Sequence, residues 1–408
     1  MKKLLLLVIP AFIFAQNLKS LIEDAQLRSD LVVAKTLSKE AQSKNVDSKE
    51  RAYLPTIDVG GYYQSVQDKT PTQAGDVYSG YAKVGFDIYD GGKKLSLLEE
   101  ARYLYRASVH DEKETRNSLA LQITENFYMV KNLQASLRAK EEAGKSLQEQ
   151  LERIKKYFEA RLATKDDIDR LQAAYDTNIY DIESLKLDIL AALKSLELKV
   201  GKNIETLEDS NFREFIDESL ENRDAINSLM AKESAMISSS KYIESAYYPQ
   251  IRVEDSFNIY GYDRADALYP KGLDNQNKIL LSANMRLFDF GTISKSKEVV
   301  QINAQALKSE ISYMVKEQKM QQEIAIFRIQ TSKVKIKSAS SALTAASSAF
   351  KTINEKYKAG IVDYVIYLDA LTSKTKADSL YESSLNELET AYAMYYYYSG
   401  KNLEEFLK

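Results

Sequence analysis

The sequence contains no cysteine, one histidine and unusually few residues that interrupt helices. Its 408 residues include 14 glycines and 5 prolines, whereas average usage would give about 29 and about 20. Without cysteine there is no disulfide framework, thiolate metal site, thiol nucleophile or lipid attachment point. A catalytic triad or metal cluster based on histidine would have to be built around His110 alone. We therefore expect no enzyme activity, no cofactor and no bound metal.

The charge distribution argues against a nucleic-acid partner. The 56 basic and 59 acidic residues are interspersed and give a formal net charge of -3. Proteins that bind nucleic acids through backbone phosphates present a basic patch or stripe, and the sequence shows none.

The few helix breakers are clustered. Ten of the glycines lie within residues 53–92 and 247–291, and the prolines are Pro10, Pro55, Pro71, Pro249 and Pro270. Because glycine and proline mark turns and helix ends, this clustering predicts long helices separated by two short non-helical regions.

Residues 1–15 have the pattern of a secretory signal peptide. Two lysines precede an apolar run from Leu4 to Phe14, and the small residue Ala15 follows. This order is typical of such peptides, although a buried amino-terminal helix is an alternative. No other stretch reaches the roughly 20 apolar residues of a transmembrane helix. An exported chain of this kind would enter a membrane as a β-barrel.

Several motifs occur twice, about 200 residues apart. Ala52-Tyr-Leu-Pro55 recurs as Ala246-Tyr-Tyr-Pro249, and later pairs keep the same order: Asp90 with Asp289, Gly92 with Gly291, Ala160 with Ala359, and Gly201-Lys-Asn with Gly400-Lys-Asn. Matching motifs in matching order indicate a duplicated structural unit. We assign repeat one to about residues 16–209 and repeat two to about residues 210–408.

Each repeat contains two segments in which apolar and polar residues alternate. The four segments are 56–66, 79–89, 250–259 and 279–287. Alternation over about ten residues is typical of outer-membrane barrel strands, with apolar side chains towards lipid. We place one β-hairpin at 53–90 and another at 249–290, with Asp255 interrupting the apolar face of the third strand.

Four strands cannot enclose a barrel, so membrane insertion would require several copies of the chain. Open strand edges are excluded from lipid because their backbone groups would lack hydrogen bonds. Three copies would give twelve strands. An ordinary soluble sheet partly covered by helices is the alternative, since alternation alone is compatible with both.

The remaining sequence has the spacing of long coiled-coil helices. Between residues 93 and 156 the only breaker is Gly144, and apolar residues recur mostly at three- and four-residue steps. Sixty-four residues would run about 96 Å, and 293–356 repeats the pattern. Shorter helices are expected over 17–52, 166–199, 211–247 and 364–399. A plain coiled coil would explain this spacing but not the matching hairpins.

These motifs together resemble the outer membrane efflux family, the TolC-type exit ducts of Gram-negative bacteria. The resemblance covers the mature chain, residues 16–408. It is carried by the Ala-Tyr-Leu-Pro and Ala-Tyr-Tyr-Pro motifs, by Tyr89-Asp-Gly-Gly92 and Phe288-Asp-Phe-Gly291, and by two helix-turn-helix tips at 157–168 and 357–370. It implies a mixed, mainly α fold. Hairpins of three copies would form a twelve-stranded outer-membrane β-barrel, and the coiled-coil helices a periplasmic α-barrel.

The resemblance also implies a function and partners. The chain would be a passive homotrimeric exit duct of a tripartite efflux or type I secretion system, located in the outer membrane with a periplasmic extension. Its partners would be a periplasmic adaptor (membrane fusion protein), an inner-membrane transporter and outer membrane lipid. The alternative is a trimeric coiled-coil protein with a structural or adhesive role at the cell surface.

Gate residues are implied at the two tips. In the family, a tyrosine before the second tip hydrogen-bonds an aspartate after the first, and Tyr357 and Asp167 occupy those positions. The position of the family's gate arginine is occupied by Val362. We therefore expect the contact made by that arginine to be absent.

The resemblance also implies a constriction of the channel, about one turn into the helix predicted over 364–399. Its pair of aspartates reads Ile366 and Asp369 here, and Asp363 could supply the missing acid. In three copies, Asp369 would form an acidic ring that attracts cations. Solvated charge at a helix end is the alternative for both aspartates.

The tip residues resemble the surface that the adaptor engages. They are Arg161, Leu162, Ala163, Thr164, Gly360 and Ile361. Helix capping would also select Gly360 and Thr164, and the two roles are compatible.

Two further features are interpreted as structural. His110 is expected to be exposed on a long helix. The run Tyr395–Tyr398 is expected to pack between helices rather than to bind cargo.

Overall fold

The computed structural model describes residues 16–67, 74–217, 219–264 and 272–408. The signal peptide and two of the prolines, Pro71 and Pro270, lie outside these residues. The described chain forms seven α-helices and four β-strands: α1 (Leu18–Arg28), α2 (Asp30–Arg51), β1 (Thr56–Ser65), β2 (Asp76–Tyr89), α3 (Lys93–Glu159), α4 (Lys165–Val200), α5 (Asp224–Glu244), β3 (Gln250–Asp263), β4 (Asn275–Asn284), α6 (Thr292–Lys358) and α7 (Tyr364–Tyr398).

Each repeat contains a hairpin, a long helix and a return helix. The long helices α3 and α6 both have 67 residues, which corresponds to about 100 Å. The return helices α4 and α7 have 36 and 35 residues. The mainly helical fold predicted from the sequence is confirmed. Within the described parts of the chain, no helix combines enough length and apolar character to cross a membrane.

The chain divides into two compact units. Unit 1 comprises the described residues up to Thr36 together with Glu112–Ala225 and Met314–Lys408, and unit 2 comprises Leu37–Asp111 and Ile226–Tyr313. The sheet belongs to unit 2. The connections between long and return helices belong to unit 1.

The sheet of unit 2 is antiparallel, in the order β1–β2–β3–β4. The hairpins of the two repeats therefore pair with each other through β2 and β3. In the described residues no further strand pairs with β1 or β4, so each of these strands leaves one edge open.

The two faces of the sheet differ in polarity, as the alternation predicted. Cross-strand rows such as Val59–Ala82–Phe257 lie on the apolar face. Large side chains of this face are exposed in the single chain: Ile57, Val59, Val84, Phe86, Phe257, Ile259, Ile279 and Leu281. The opposite face carries ion pairs, among them Arg252 with Asp87 at 2.8 Å.

Both repeats join strand to long helix through the same side-chain contact. The carboxylate of Asp90 accepts the backbone N–H groups two and four residues later, at 3.1 and 2.8 Å. Asp289 accepts the equivalent groups at 3.0 and 2.7 Å. A carboxylate here satisfies free N–H groups and lies at the positive end of the helix dipole. The duplication seen in the sequence is therefore also a duplication of contacts.

The largest core of unit 1 surrounds the carboxyl end of α7. Tyr395 and Tyr396 are fully buried, and Tyr397 is nearly so. They belong to a cluster with apolar residues of several other helices, including Leu18, Ile22, Phe127, Leu196 and Ile329. The expectation that the tyrosine run packs between helices is confirmed.

Two predicted helices have different boundaries in the structure. The predicted helix 17–52 is interrupted at Ser29, between α1 and α2. The described residues between 211 and 223 are irregular rather than helical. In this segment the N–H groups of Phe215 and Asp217 donate to the hydroxyls of Tyr396 and Tyr395, at 3.3 and 2.9 Å.

One strand boundary also differs. β4 covers Asn275–Asn284, whereas the alternating pattern predicted 279–287. Leu287, Phe288 and Phe290 lie outside the strand and are highly exposed. The alternation therefore continues past the end of the hydrogen-bonded pairing.

The turns after the two long helices share one backbone geometry. The N–H of Leu162 donates to the carbonyl of Tyr157 at 2.7 Å, and that of Ile361 to Lys356 at 2.9 Å. A hydrogen bond from an N–H to the carbonyl five residues earlier is characteristic of the Schellman motif at a helix end. In this motif one residue adopts the left-handed backbone conformation. This residue is Arg161 in the first turn, with φ of 64°, and glycine in the second, with φ of 75°.

Replacing Arg161 by glycine should stabilise the first turn. A side chain in the left-handed conformation costs about 1–2 kcal/mol, part of which glycine recovers against its greater freedom in the unfolded chain. We expect R161G to raise the unfolding temperature slightly, measured by circular dichroism. The matched variant G360A should lower it, because nothing but the backbone conformation opposes a Cβ there. A lower unfolding temperature for R161G would contradict the assigned turn.

Removing a partly buried charge from α7 should stabilise the fold at neutral pH. Burial raises the pKa of Glu389, although its carboxylate accepts the N–H of Phe212 at 2.6 Å. A raised folded-state pKa means that stability falls as pH rises through that pKa. We expect E389Q to unfold a few degrees above the wild type at pH 7.5 but not at pH 4. The control E387Q alters an exposed ion pair with Lys335, so its unfolding temperature should stay close to that of the wild type at either pH. Equal shifts in unfolding temperature for the two variants would refute this explanation.

Candidate functional site: the two helix tips

The sequence-predicted site residues lie at two neighbouring turns of unit 1. We call the α3–α4 turn tip one and the α6–α7 turn tip two. The guanidinium of Arg153 reaches tip two, where its Nη2 lies 3.4 Å from the carbonyl oxygen of Tyr357. The guanidinium of Arg170, after tip one, lies 5.8 Å from the ring centre of Tyr364. The two tips are therefore in contact.

A small apolar core supports the tips. Its buried members come from α3, α4 and α7: Ala143, Leu147, Leu151, Leu171, Tyr367 and Leu371. Tyr357 of α6 packs against this core, with its ring 4.9 Å from that of Tyr367 and nearly parallel to it. Burial raises the pKa of Tyr357, and the nearby Arg153 opposes this shift. The Tyr357 hydroxyl therefore stays protonated at neutral pH.

Asp167 caps α4 instead of bonding to Tyr357. Its carboxylate accepts the N–H of Thr164 at 2.9 Å and the Thr164 hydroxyl at 2.7 Å, while its own N–H donates to the Thr164 Oγ1 at 3.3 Å. This reciprocal arrangement is a capping box. In the described residues no hydrogen bond joins Asp167 to Tyr357. A gate role for the pair stays a prediction.

Asp363 also caps a helix. Its carboxylate accepts the N–H of Ile366 at 3.1 Å, at the first turn of α7. Ile366 and Asp369 lie one turn apart, and both are exposed in the single chain. Asp369 therefore presents its carboxylate to the surface, whereas that of Asp363 is engaged in capping.

Both tips present an exposed apolar side chain at the same position of the turn. Leu162 is 75% exposed and Ile361 is 70% exposed. In a Schellman motif this residue commonly packs back on its own helix, and here it does not. Of the other tip residues, Arg161 and Gly360 hold the left-handed positions, Thr164 is the cap of α4, and Ala163 is half-buried.

Arg153 is the site residue that sequence reasoning missed. It lies in α3 and contacts the end of α6, so its partner is about 200 residues away in sequence. The signal available was an arginine four residues before Tyr157, on the same helix face. Nothing in the local pattern indicated which carbonyls it would reach.

Comparison with known sequences finds similarity within the first half of the chain. Residues 21–202 match the family model described as outer membrane efflux protein. The outer membrane protein TolC of Vibrio cholerae serotype O1 is 23% identical over 194 residues, which is 46% of this chain and 44% of that protein. The match thus spans less than half the length of this curated relative.

Comparison with solved structures gives the same fold over almost the whole chain. The CmeC outer membrane channel of Campylobacter jejuni has a TM-score of 0.85 at 14% identity, covering 95% of this chain and 86% of that one. The outer membrane protein VceC of Vibrio cholerae has a TM-score of 0.81 at 14% identity, covering 95% and 96%. Residues 21–202 are thus similar to the outer membrane efflux protein family, and the chain has the fold of these solved outer membrane channels.

Proposed function

We propose that the chain is the exit duct of a tripartite efflux or type I secretion system. Three copies form a passive channel, and an inner-membrane transporter drives cargo into it through a periplasmic adaptor. The observation that supports this best is the sheet of unit 2, which has an exposed apolar face and two open edges.

The sheet favours a barrel shared between copies. Its open edges belong to β1 and β4, so the β4 edge of one copy can pair with the β1 edge of the next. Closed pairing satisfies every backbone group, as a lipid environment requires. Three four-stranded sheets give twelve strands, with the exposed apolar face towards lipid and the charged face towards the channel.

Two exposed helical stripes in unit 1 favour a ring of copies. On α4, the exposed residues Tyr180, Leu187 and Leu198 are separated by 7 and 11 residues, which places them on one face. On α6, Met320, Ile324, Phe327 and Val334 are exposed at steps of four, three and seven. A head-to-tail contact between the α4 face of one copy and the α6 face of the next would bury both stripes and close into a ring.

The charges beside these stripes are complementary. From residue 165 to 190, α4 has seven acidic and three basic residues, whereas from 331 to 358, α6 has six lysines and one glutamate. Both segments lie within about 30 residues of a tip. Opposite charges at matching distances from the tips would set the register of neighbouring copies.

The tips support an adaptor as partner. Leu162 and Ile361 give six exposed apolar side chains in a ring of three copies. Isolated exposed apolar residues are common, but a pair at equivalent positions of both repeats suits a partner that binds around the ring.

The channel activity can be tested directly. We expect purified protein in planar bilayers to give stepwise conductance, and native mass spectrometry to give a trimer. A folded trimer that never conducts would contradict the duct and favour the structural or adhesive alternative.

Asp369 should set the ion preference of the channel. In three copies its exposed carboxylates would form a ring that concentrates cations. We expect D369N to reduce the ratio of cation to anion permeability severalfold, measured from reversal potentials in a salt gradient. D378N serves as the control. Asp378 lies on the same helix, but its carboxylate is already paired with Lys374 at 2.8 Å. Equal ratios for D369N and the wild type would exclude Asp369 from the constriction.

Reversing charges should weaken and then restore the ring. We expect the double variants D176K/D188K on α4 and K337E/K351E on α6 each to lower the trimer fraction severalfold, since each exposed pair contributes about 0.2–1 kcal/mol. Combining all four changes in one chain should restore the trimer fraction. In that variant α4 carries the added positive charges and α6 the added negative ones, so the two faces attract each other again. Analytical ultracentrifugation in detergent measures the fraction. A combined variant no better than the two doubles would contradict the α4–α6 contact.

A further inference from the structure

Arg153 connects α3 to the end of α6, beside the two helix tips. We propose that Arg153 holds tip two against α3 in the closed state and that its release from α6 is a step in opening. This inference rests on the proposed channel function.

The first part of the contact is hydrogen bonding to the end of α6. Nη2 of Arg153 donates to the carbonyl oxygens of Tyr357, at 3.4 Å, and of Lys358. These are the last two residues of α6. Carbonyls at a helix end lack helical partners and carry the negative end of the dipole, so a guanidinium is favourable there. The contact requires the end of α6 to lie beside α3.

The second part is stacking with two tyrosines. The guanidinium lies 5.0 Å from the ring centre of Tyr157 and 5.7 Å from that of Tyr357. It also donates to the Tyr157 hydroxyl, from Nε at 3.1 Å and Nη2 at 3.0 Å. Tyr157 thus fixes the orientation of Arg153 from its own helix. Tyr357, in α6, contacts the same guanidinium through the face of its ring.

The contact continues into α7. The Tyr357 ring stacks on Tyr367, which is fully buried and lies 5.9 Å from Phe350. One cation therefore joins α3 to α6 directly and to α7 through stacked rings. Moving the α6–α7 hairpin away from α3 would break the hydrogen bonds and the stacking together.

The side chain of Arg153 is partly buried. Nη1 of Arg153 is buried and has no hydrogen-bond partner among the described residues. In contrast, Arg170 forms an exposed ion pair with Asp166 at 3.0 Å and lies over the ring of Tyr364. Arg170 therefore reaches tip two only through an exposed cation–ring contact, and R170M measures how much such a contact contributes.

The first test measures opening. We expect R153M, which keeps the length of the side chain but loses its charge and donors, to raise the single-channel open probability at least tenfold. R153K should lie between R153M and the wild type, because lysine keeps the charge but not the planar donor group. R170M, which at tip two removes only an exposed contact with the ring of Tyr364, should raise the open probability less than R153M does. Circular dichroism and the trimer fraction confirm that each variant is folded.

The second test measures the tips without conductance. Because the chain has no cysteine, spin labels can be attached specifically at L162C and I361C. Diluting labelled chains with unlabelled ones leaves one labelled chain per trimer. We expect R153M to broaden the label distance distribution towards longer values, and R170M to broaden it less.

The outcomes separate the two hypotheses. Unchanged open probability and unchanged label distances in R153M, with a conducting wild type, would overturn the role of Arg153. Reduced opening in R153M would also overturn it. If no variant conducts but R153M separates the labels, the channel function and the gating role are overturned, while the contact between the hairpins is supported.

Discussion

A strand edge exposed to lipid leaves backbone N–H and C=O groups without partners, and this constraint governs the proposed assembly. The two hairpins use β2 and β3 to pair with each other, so the edges of β1 and β4 stay open in the single chain. Nothing else in the described part of unit 2 covers them. In the proposed assembly, pairing between copies would satisfy these groups, and the number of copies would then set the size of the barrel.

In unit 1, tyrosine side chains provide hydrogen bonds to backbone groups that lie outside any helix or strand. The irregular segment before α5 cannot use helical bonds, and hydroxyls of Tyr395 and Tyr396 bond to its backbone instead. Glu389 accepts one more N–H of this segment. A single helix end thus holds a non-helical stretch in place. This explains the hydroxyls at Tyr395 and Tyr396, whereas the hydroxyl of Tyr397 donates to the carboxylate of Glu114 at 2.7 Å.

The features that could be predicted from the sequence are those with local causes. Alternation and helical spacing depend on neighbouring residues, and the duplicated Asp90 and Asp289 motifs identified both strand-to-helix joints. The capping role of Asp167 could also have been predicted, since a threonine three residues before an acidic residue is the pattern of a capping box. Arg153 and the bonds of the buried tyrosines could not be predicted, because their partners are determined only when distant helices pack together.

The two tips have the same backbone but different residues at the left-handed position. Arg161 stands in one and Gly360 in the other. A ring of three chains would therefore present six turns of one shape that alternate between a long cation and a bare backbone. A partner that follows the backbone alone could bind six equivalent places. One that recognises the side chain would find only three, so this single difference between the repeats could determine how many partner molecules each channel binds.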